Sequence, residues 1–259
     1  TIYLTSVKVY GRIGTNGATV YSAAAGIRNV DGTGAKGIIG TNDASIINDG
    51  VINVNGTGAQ GIYIERGATL TNTGQINVNG DGKIGVFIGM GSSFVNTAGI
   101  TISSGGTTVF DGGGTLANIG DIVIDGPTAT VNGITINNTG KIEITGSLDF
   151  TGNILLETTP GKAGTINVGG LSGTGHIILS PDATLGNNYD MHHVQLLGGL
   201  SNPETETIRV TSQSVSFIAE KYFDKDLNSY VLTLTRIPYA QMLKNTEAVE
   251  FGKGLDELH

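Results

Sequence analysis

One stretch of ten residues recurs at a fixed spacing, and this repeat restricts the fold more than any other feature of the chain. Its copies are NVDGTGAKGI at 29–38, NVNGTGAQGI at 53–62 and NVNGDGKIGV at 77–86, so the period along the chain is a constant 24. A repeat of this length indicates a solenoid, because one unit cannot bury its apolar face alone whereas stacked units share a continuous core.

The same period continues as rows of equivalent residues beyond the third copy, with successive steps of 24, 24, 22 and 20 along the chain. Three rows are apolar and one is Asn: Ile52, Ile76, Ile100, Ile122 and Ile142; Val54, Val78, Ile102, Ile124 and Ile144; Ile46, Leu70, Phe94, Leu116 and Ile136; and Asn48, Asn72, Asn96, Asn118 and Asn138. Residues 22–155 therefore form six units.

Each unit carries three short strand patterns. Apolar and polar residues alternate around Ile52-Asn53-Val54, after the glycines at Ile62-Tyr63-Ile64, and again at Thr69-Leu70-Thr71. The chain is thus predicted to be all-β, a parallel β-helix with three short strands per 20–24-residue coil. The Ile rows would point inward, and the Asn row would lie at a corner where stacked amides hydrogen-bond along the axis. A leucine-rich horseshoe is disfavoured because no helical pattern alternates with the strands.

The coils shorten towards the C-terminus at one place in the repeat. The interval in the numbering is 16 from Val78 to Phe94, 14 from Ile102 to Leu116, and 12 from Ile124 to Ile136. The missing residues come from the region of the glycine loop and second strand. We expect larger turns on this side of the N-terminal coils, and these turns are the better candidates for recognition.

The segment Gly56–Gly61, GTGAQG, matches the G-x-G-x-x-G pattern of a dinucleotide-binding loop. Such a loop must lead into a helix whose N-terminus receives the pyrophosphate. Here it leads into the strand pattern IYIERG, and copies of it recur at Gly32–Gly37 and Gly80–Gly85. We therefore interpret it as a structural turn.

The sequence gives little support for a metal site or for acid–base catalysis. Asn55 and Asn79 stand at the position of Asp31 in the next two coils, so the repeat contains no row of acids that could bind calcium. A single calcium ion near Asp81 or Asp111 is an alternative that stays open. Polysaccharide lyases and glycosidases need clustered carboxylates. Within 22–155, no acidic residue has another acidic residue at the equivalent position of the adjacent coil. Asp121, for example, is followed by Lys141, and Glu143 is preceded by Val123.

Histidines and aromatic residues are also uninformative. The internal His residues are His176, His192 and His193, and the nucleophile elbow G-x-S-x-G does not occur. The segment DMHH, Asp190 to His193, is expected to be a surface loop rather than a metal site. Aromatic residues are too scarce to predict a stacking platform, with Tyr63 a candidate for an exposed ring.

Composition agrees with strands joined by tight turns. Gly accounts for 42 of 259 residues, charged residues for 14%, and Cys for none, which excludes disulfides and a Cys nucleophile. Gly lacks the period of three found in collagen. The formal charge of −8 opposes binding to nucleic acid, and no apolar run is long enough for a membrane helix.

Three regions are predicted: coils in 1–186, a β-rich cap in 187–238, and a linker in 239–259. The cap contains a β-hairpin formed by Val215–Tyr222 and Tyr230–Leu234, separated by a long turn. In the linker, Leu243, Phe251, Leu255 and Leu258 have a partly helical spacing that Gly252 and Gly254 weaken.

The sequence resembles the passengers of type Va autotransporters, particularly fusobacterial-type adhesins. The resemblance lies in the N-T-G-x-I-x-V repeats at 72–78 and 138–144, in TINVGGLSGTGHIIL at 165–179, and in YVLTLTRIPYAQ at 230–241. It implies a right-handed β-helix, a folding-assisting autochaperone region near the C-terminus, and secretion through an outer membrane. It also implies a translocator barrel after this chain, which would then be the membrane-proximal end of a passenger.

These observations predict a noncatalytic stalk and folding nucleus of a passenger displayed on a Gram-negative cell. Two alternatives stay open: a polysaccharide-degrading β-helix enzyme, and an autonomous glycan- or protein-binding module. The expected partner is a host-cell or bacterial surface receptor reached through the parent protein. We expect a monomer that is not inserted in a membrane and has no cofactor, metal or nucleic-acid ligand. No binding residue is assigned.

Overall fold

The chain winds as a coil whose turns each contribute three parallel strands, as the repeat predicts. The computed structural model describes residues 10–22, 26–81, 84–159, 162–181, 192–198, 208–226, 229–244 and 248–257. Equivalent strands of successive coils pair side by side and form three ladders.

The strands of the first ladder are β3 (Ile27–Asp31), β6 (Val51–Asn55), β9 (Gln75–Gly80), β12 (Gly99–Ser104), β15 (Asp121–Asp125) and the first halves of β18 (Lys141–Phe150) and β21 (Thr165–Gly173). The second ladder contains β1 (Tyr10–Gly14), β4 (Lys36–Gly40), β7 (Gln60–Ile64), β10 (Ile84–Ile88), β13 (Thr107–Gly112), β16 (Thr128–Asn132) and the second halves of β18 and β21. The third ladder contains β2 (Thr19–Ser22), β5 (Ser45–Asn48), β8 (Thr69–Asn72), β11 (Ser93–Asn96), β14 (Thr115–Asn118), β17 (Thr135–Asn138), β19 (Asn153–Thr159), β22 (His176–Pro181) and β24 (Arg209–Ser212). A short strand, β20 (Lys162–Ala163), pairs antiparallel with β19.

The predicted rows are in register throughout. Ile52 pairs with Ile76, and this row continues through Ile100 to Ile142 and Ile166. These side chains are buried in one apolar core, because alternate residues of each strand face inward.

The Asn row also lies where the sequence places it, at the last position of each strand in the third ladder. Asn48, Asn72, Asn96, Asn118 and Asn138 are fully buried. Each of the first four donates its side-chain amide to the Oδ1 of the next, over 2.7, 2.9, 2.9 and 2.8 Å. From Asn72 to Asn138, each buried Oδ1 therefore accepts a hydrogen bond from the preceding coil.

The shortening of the coils falls on both corners that flank the second-ladder strand. The corner before it has four residues at 56–59, two at 105–106, and disappears within β18, where a single strand runs through both ladders. The corner after it has four residues at 65–68 and two at 113–114. The larger turns lie in the N-terminal coils, as predicted, whereas the second strand itself keeps its length.

A three-stranded antiparallel sheet follows the coils. Its order is β23 (His192–Gly198), β26 (Ser229–Arg236) and β25 (Phe217–Asp224), so the predicted hairpin is present and has a third strand. The expectation of a loop is wrong at His192 and His193, because both begin β23 and pair with β26, whereas Asp190 and Met191 lie outside the described residues. The third ladder extends through β24, inside the segment predicted as cap, where Arg209 pairs with His176.

The antiparallel sheet closes the apolar core. Leu232 and Leu234 of β26 are buried in the same cluster as the inward rows of the coils, and Phe217 and Ala219 pack against it. Lys221 of β25 donates from Nζ to the backbone oxygen of Ile208 over 3.0 Å. Coils and cap thus share one core.

Two helices occupy the segment predicted as a linker: α1 (Tyr239–Met242) and α2 (Val249–Glu257). Asp256 of α2 accepts hydrogen bonds from the backbone N–H groups of Tyr239 and Ala240 over 2.7 and 2.9 Å, and this caps α1. Gly252 allows the close approach, since a β-carbon there would lie 2.9 Å from the backbone of Tyr239 and Ala240. Within the described residues, neither helix is long and apolar enough to cross a membrane.

Candidate functional site

The turn at Gly56–Gly61 has its amide groups engaged in the coil stack. The N–H groups of Gly56 and Gly58 donate to backbone oxygens of Asn79 and Asp81 in the next coil over 3.0 and 3.2 Å. The N–H of Ala59 closes the turn on Gly56. A phosphate loop needs such N–H groups free and pointing at the ligand. These are engaged and the turn leads into β7, which agrees with a structural role.

Two constraints select glycine at this corner. Gly56 has φ of 130°, a conformation that residues with a β-carbon rarely adopt. A β-carbon at Gly56 would also overlap the carbonyl oxygen of Gly32, and one at Gly80 would overlap that of Gly56. Adjacent corners approach so closely that only glycine fits.

In the described coils, the acids at positions 121 and 143 lie beside residues that are not acidic, as the sequence comparison of coils predicts. Asp121 pairs with Lys141 and Val123 with Glu143. Lys141 and Glu143 form an ion pair of 2.5 Å, and this hydrogen bond raises the pKa of the Lys141 ammonium. Within the described ranges, no group of three or more His, Asp or Glu side chains is placed to hold a metal ion.

The positions singled out for calcium are separate. Asp111 accepts a hydrogen bond at Oδ1 from the N–H of Gly112 over 2.8 Å, at the end of β13. The backbone oxygen of Asp81 accepts from Gly58. Asn55 donates to Asp31 over 2.6 Å and Asn79 donates to Asn55 over 3.1 Å, so the acid of the first coil stabilises an amide row.

His176 lies at the start of β22, on the third ladder. Burial lowers the pKa of its imidazole, and the nearby positive charge of Arg209 lowers it further. Its Nε2 is 2.7 Å from the hydroxyl of Thr211 in the next strand. The pair resembles structural packing between coils rather than a nucleophile–base arrangement, since no acid orients the ring among its described neighbours.

The structure brings together an aromatic pair that the sequence analysis missed. The rings of Tyr63 and Phe87, one coil apart on the outward face of the second ladder, stack with centroids 4.9 Å apart and an interplanar angle of 17°. The ammonium of Lys36, from the preceding coil, lies 4.2 Å from the centroid of Tyr63. Two of the scarce aromatic residues are therefore stacked on each other, which the sequence analysis did not predict.

A neighbouring carboxylate is hydrogen-bonded to one ring of this aromatic pair. The hydroxyl of Tyr63 donates to Glu65 over 2.9 Å. Burial raises the pKa of the Tyr63 phenol, and the hydrogen bond and negative charge of Glu65 raise it further. The hydrogen bond to Glu65 holds the ring of Tyr63 in one orientation.

A groove of about 340 Å³ lies beside the aromatic pair; we call it the axial groove because it follows the stacking direction. Its lining consists of Gly34, Lys36, Gly58, Ala59, Gln60, Gly85, Val86, Phe87, Val109 and Asp111. These residues come from four successive coils. The volume is near the lower limit for small-molecule pockets, roughly 300 Å³.

The change in corner size and one glycine create this groove. Gln60, Gly85 and Val109 occupy one register row across three coils. Gly85 contributes no side chain, and a β-carbon there would meet nothing closer than 3.5 Å. The corner before the second-ladder strand is shorter after the third coil. The glycine turns that form one wall of the groove therefore end at that point.

A signal for the aromatic pair is present in the sequence. Tyr63 and Phe87 are separated by one full period of the repeat, each one position after an inward residue, Ile62 or Val86. The spacing that defines the inward rows therefore also links these two outward positions. The positions of Lys36 and Asp111 relative to the pair required the coil geometry.

These features define a parallel β-solenoid with a capped C-terminal end and a groove on one face. No protein-family profile, curated protein or solved structure matches the chain.

Proposed function

We propose that the chain is a noncatalytic stalk that also nucleates folding of a secreted, surface-displayed passenger. The observation that carries this proposal is the single core that runs from Val30 in the first coils to Leu234 in the cap. The third ladder alone stacks nine strands, a rise of roughly 40 Å at the strand spacing of about 4.8 Å. A unit of this kind holds attached regions at a fixed distance from their anchor.

The dispersal of chemical groups supports a noncatalytic role. Asp31 lies next to Asn55 and Asp121 next to Lys141 in adjacent coils, and the glycine turns use their N–H groups for stacking. Removal of one whole coil, residues 121–140, leaves the inward rows in register. We expect this deletion variant to fold cooperatively and to display attached passenger regions as well as the full chain. Loss of display, with the fold retained, would contradict the stalk function.

The folding role depends on the cap. Leu232 lies fully buried where β26 meets the coil core, whereas Ile218 on neighbouring β25 is 46% exposed. If the cap forms first and templates the last coil, Leu232→Ala slows refolding as well as lowering stability, since a residue structured in the transition state affects the folding rate. Refolding from urea, followed by circular dichroism, measures both quantities.

Ile218→Ala is the matched control and should leave both refolding and unfolding rates near those of the wild type. A Leu232→Ala variant that refolds at the wild-type rate and only unfolds faster would sink the nucleation role. Deletion of 187–236 provides the larger test, because it removes the cap and β24; we expect slow folding or aggregation, and clean two-state refolding would contradict it.

The surface location rests on the resemblance of the repeats to autotransporter passengers. The parent reading frame tests it directly. We expect a following segment with alternating strands of about ten residues, as in an outer-membrane barrel. Protease accessibility of the chain on intact cells then measures display.

A further inference from the structure

We propose that the axial groove binds an uncharged oligosaccharide lying parallel to the coil axis. This is a binding function in addition to the proposed role as a stalk.

The dimensions of the groove fit such a ligand. Lys36 lies on β4 and Asp111 on β13, three coils further along the axis. At the spacing between paired strands, three steps span about 14 Å. Hexoses joined in a linear chain repeat at an interval close to this spacing. Successive sugar rings can therefore meet equivalent positions on successive coils, and the volume of about 340 Å³ accommodates a short chain.

Phe87, which lines the groove, supplies the apolar contact that a sugar ring needs. A pyranose has one face made mainly of C–H groups, which pack on the negative face of an aromatic ring. The ring of Tyr63 is covered by Lys36 from the preceding coil and by Phe87 from the next, so Tyr63 supports Phe87 rather than facing the groove. The register partner of Phe87 in the following coil is Asp111, which is not aromatic, so the second face of Phe87 is left for a sugar ring.

The polar groups of the lining match hydroxyl chemistry. Asp111 accepts hydrogen bonds, Lys36 donates them, and the amide of Gln60 does both. The positive and negative groups are at opposite ends of the groove and balance, which favours a neutral ligand. The formal charge of −8 on the chain disfavours an acidic polysaccharide further.

Two other ligand classes fit less well. A peptide that binds by strand addition needs an unpaired strand edge. The groove lies over β4, β7, β10 and β13, and each of these strands is paired on both sides. A phosphate ligand needs free backbone N–H groups, and those of Gly56, Gly58 and Ala59 are engaged in the stack.

Titration of the full chain with neutral trisaccharides of glucose, galactose and N-acetylglucosamine, followed by calorimetry and NMR, tests the proposal. We expect saturable binding of at least one of them at millimolar concentrations. Trigalacturonate is the acidic comparison, and binding of it alone would overturn the proposal, as would binding of none.

Two variants locate the site. Gly85→Leu fills the floor, where space for a β-carbon exists, and Asp111→Asn retains the shape and the Gly112 contact while removing the charge. We expect each variant to bind the sugar roughly tenfold more weakly than the wild type. The loss of one hydrogen bond to a charged group, or of a similar amount of contact energy, has an effect of this size. Gly254→Leu, a matched change in α2 with open space around it, should bind like the wild type.

Circular dichroism establishes whether each variant is folded. If Gly85→Leu does not fold, Asp111→Asn decides the outcome, since its shape is that of the natural residue. Wild-type affinity in the folded groove variants would place any bound sugar elsewhere and overturn the proposal.

Discussion

Asn72 donates its side-chain amide to the Oδ1 of Asn96 over 2.9 Å, one coil further along the axis, with both side chains fully buried. The second N–H of Asn72 donates to the backbone oxygen of Gly74 over 2.9 Å. A buried amide without partners costs free energy, so this row stabilises only one register of the coils. A slip by one residue would leave its members unpaired.

Asn96→Ala should lower the free energy of unfolding by about 2–5 kcal/mol. The change leaves one N–H of Asn72 and the Oδ1 of Asn118 buried without their partner. Urea titration followed by circular dichroism measures the loss. Asn77→Ala, in the half-buried outer amide row where water can replace its 2.8 Å bond to Asn53, should lose less than about 1 kcal/mol. Equal losses would contradict the stabilising role of burial.

Gly56→Ala should destabilise the chain more than Gly34→Ala. Both glycines have positive φ, 130° and 65°. At Gly34 a β-carbon meets nothing within 4 Å, so only the left-handed conformation is penalised, by about 1–2 kcal/mol. At Gly56 the β-carbon also overlaps the carbonyl of Gly32, and we expect a loss above about 3 kcal/mol. Thermal midpoints of the two variants test this; similar midpoints would mean that adjacent corners can separate.

His176 should make the stability of the fold depend on pH. The folded state lowers the pKa of this imidazole below the value of about 6.5 expected in the unfolded chain. The unfolded state therefore binds more protons in this range, so stability is complete above about pH 6.5 and falls as the pH is lowered. Thermal unfolding at about pH 8 and about pH 5 measures the change. His176→Gln should show a smaller fall, and an unchanged fall would assign the effect to other groups.

Two glycines of α2 should respond in opposite directions to substitution by Ala. At Gly252 a β-carbon would lie 2.9 Å from the backbone of Tyr239, so Gly252→Ala should separate the two helices. Gly254 has open space around it, and Gly254→Ala should stabilise the helix by roughly 0.5–1 kcal/mol. Amide hydrogen exchange in α1 and α2 reports both effects. Protection that is unchanged in Gly252→Ala would mean that the helices do not depend on this contact.

The coil architecture was predictable because its signals are local and repeated. Period-two alternation defined the strands, and the regular steps between equivalent residues placed Ile52 on Ile76 and Asn72 on Asn96. The cap was only partly predictable. Its hairpin has sequence-adjacent strands, but β23 pairs with β26 although β24 and β25 lie between them in the chain, and no repeat marks that pairing.

The candidate site was also only partly predictable from the sequence. The sequence excludes a dinucleotide loop at Gly56–Gly61, because a strand follows where a helix is needed. It could not place Lys36 over Tyr63, because the register partner of Lys36 is Gln60 and the contact is made across the register. Phe87 and Asp111 are in register although the corners of their two coils differ in length. The missed stacking of Tyr63 on Phe87 was visible as a spacing, yet its significance depends on a groove beside it.

By itself the sequence determined the number of strands per coil, their register and the inward rows, since each follows from periodicity within and between repeats. Only the tertiary structure decided where the corners merge, how the antiparallel sheet closes the core, and which outward side chains line one groove. These depend on the three-dimensional path between strands, because side chains far apart along the chain become neighbours only when the coils stack at the spacing between paired strands.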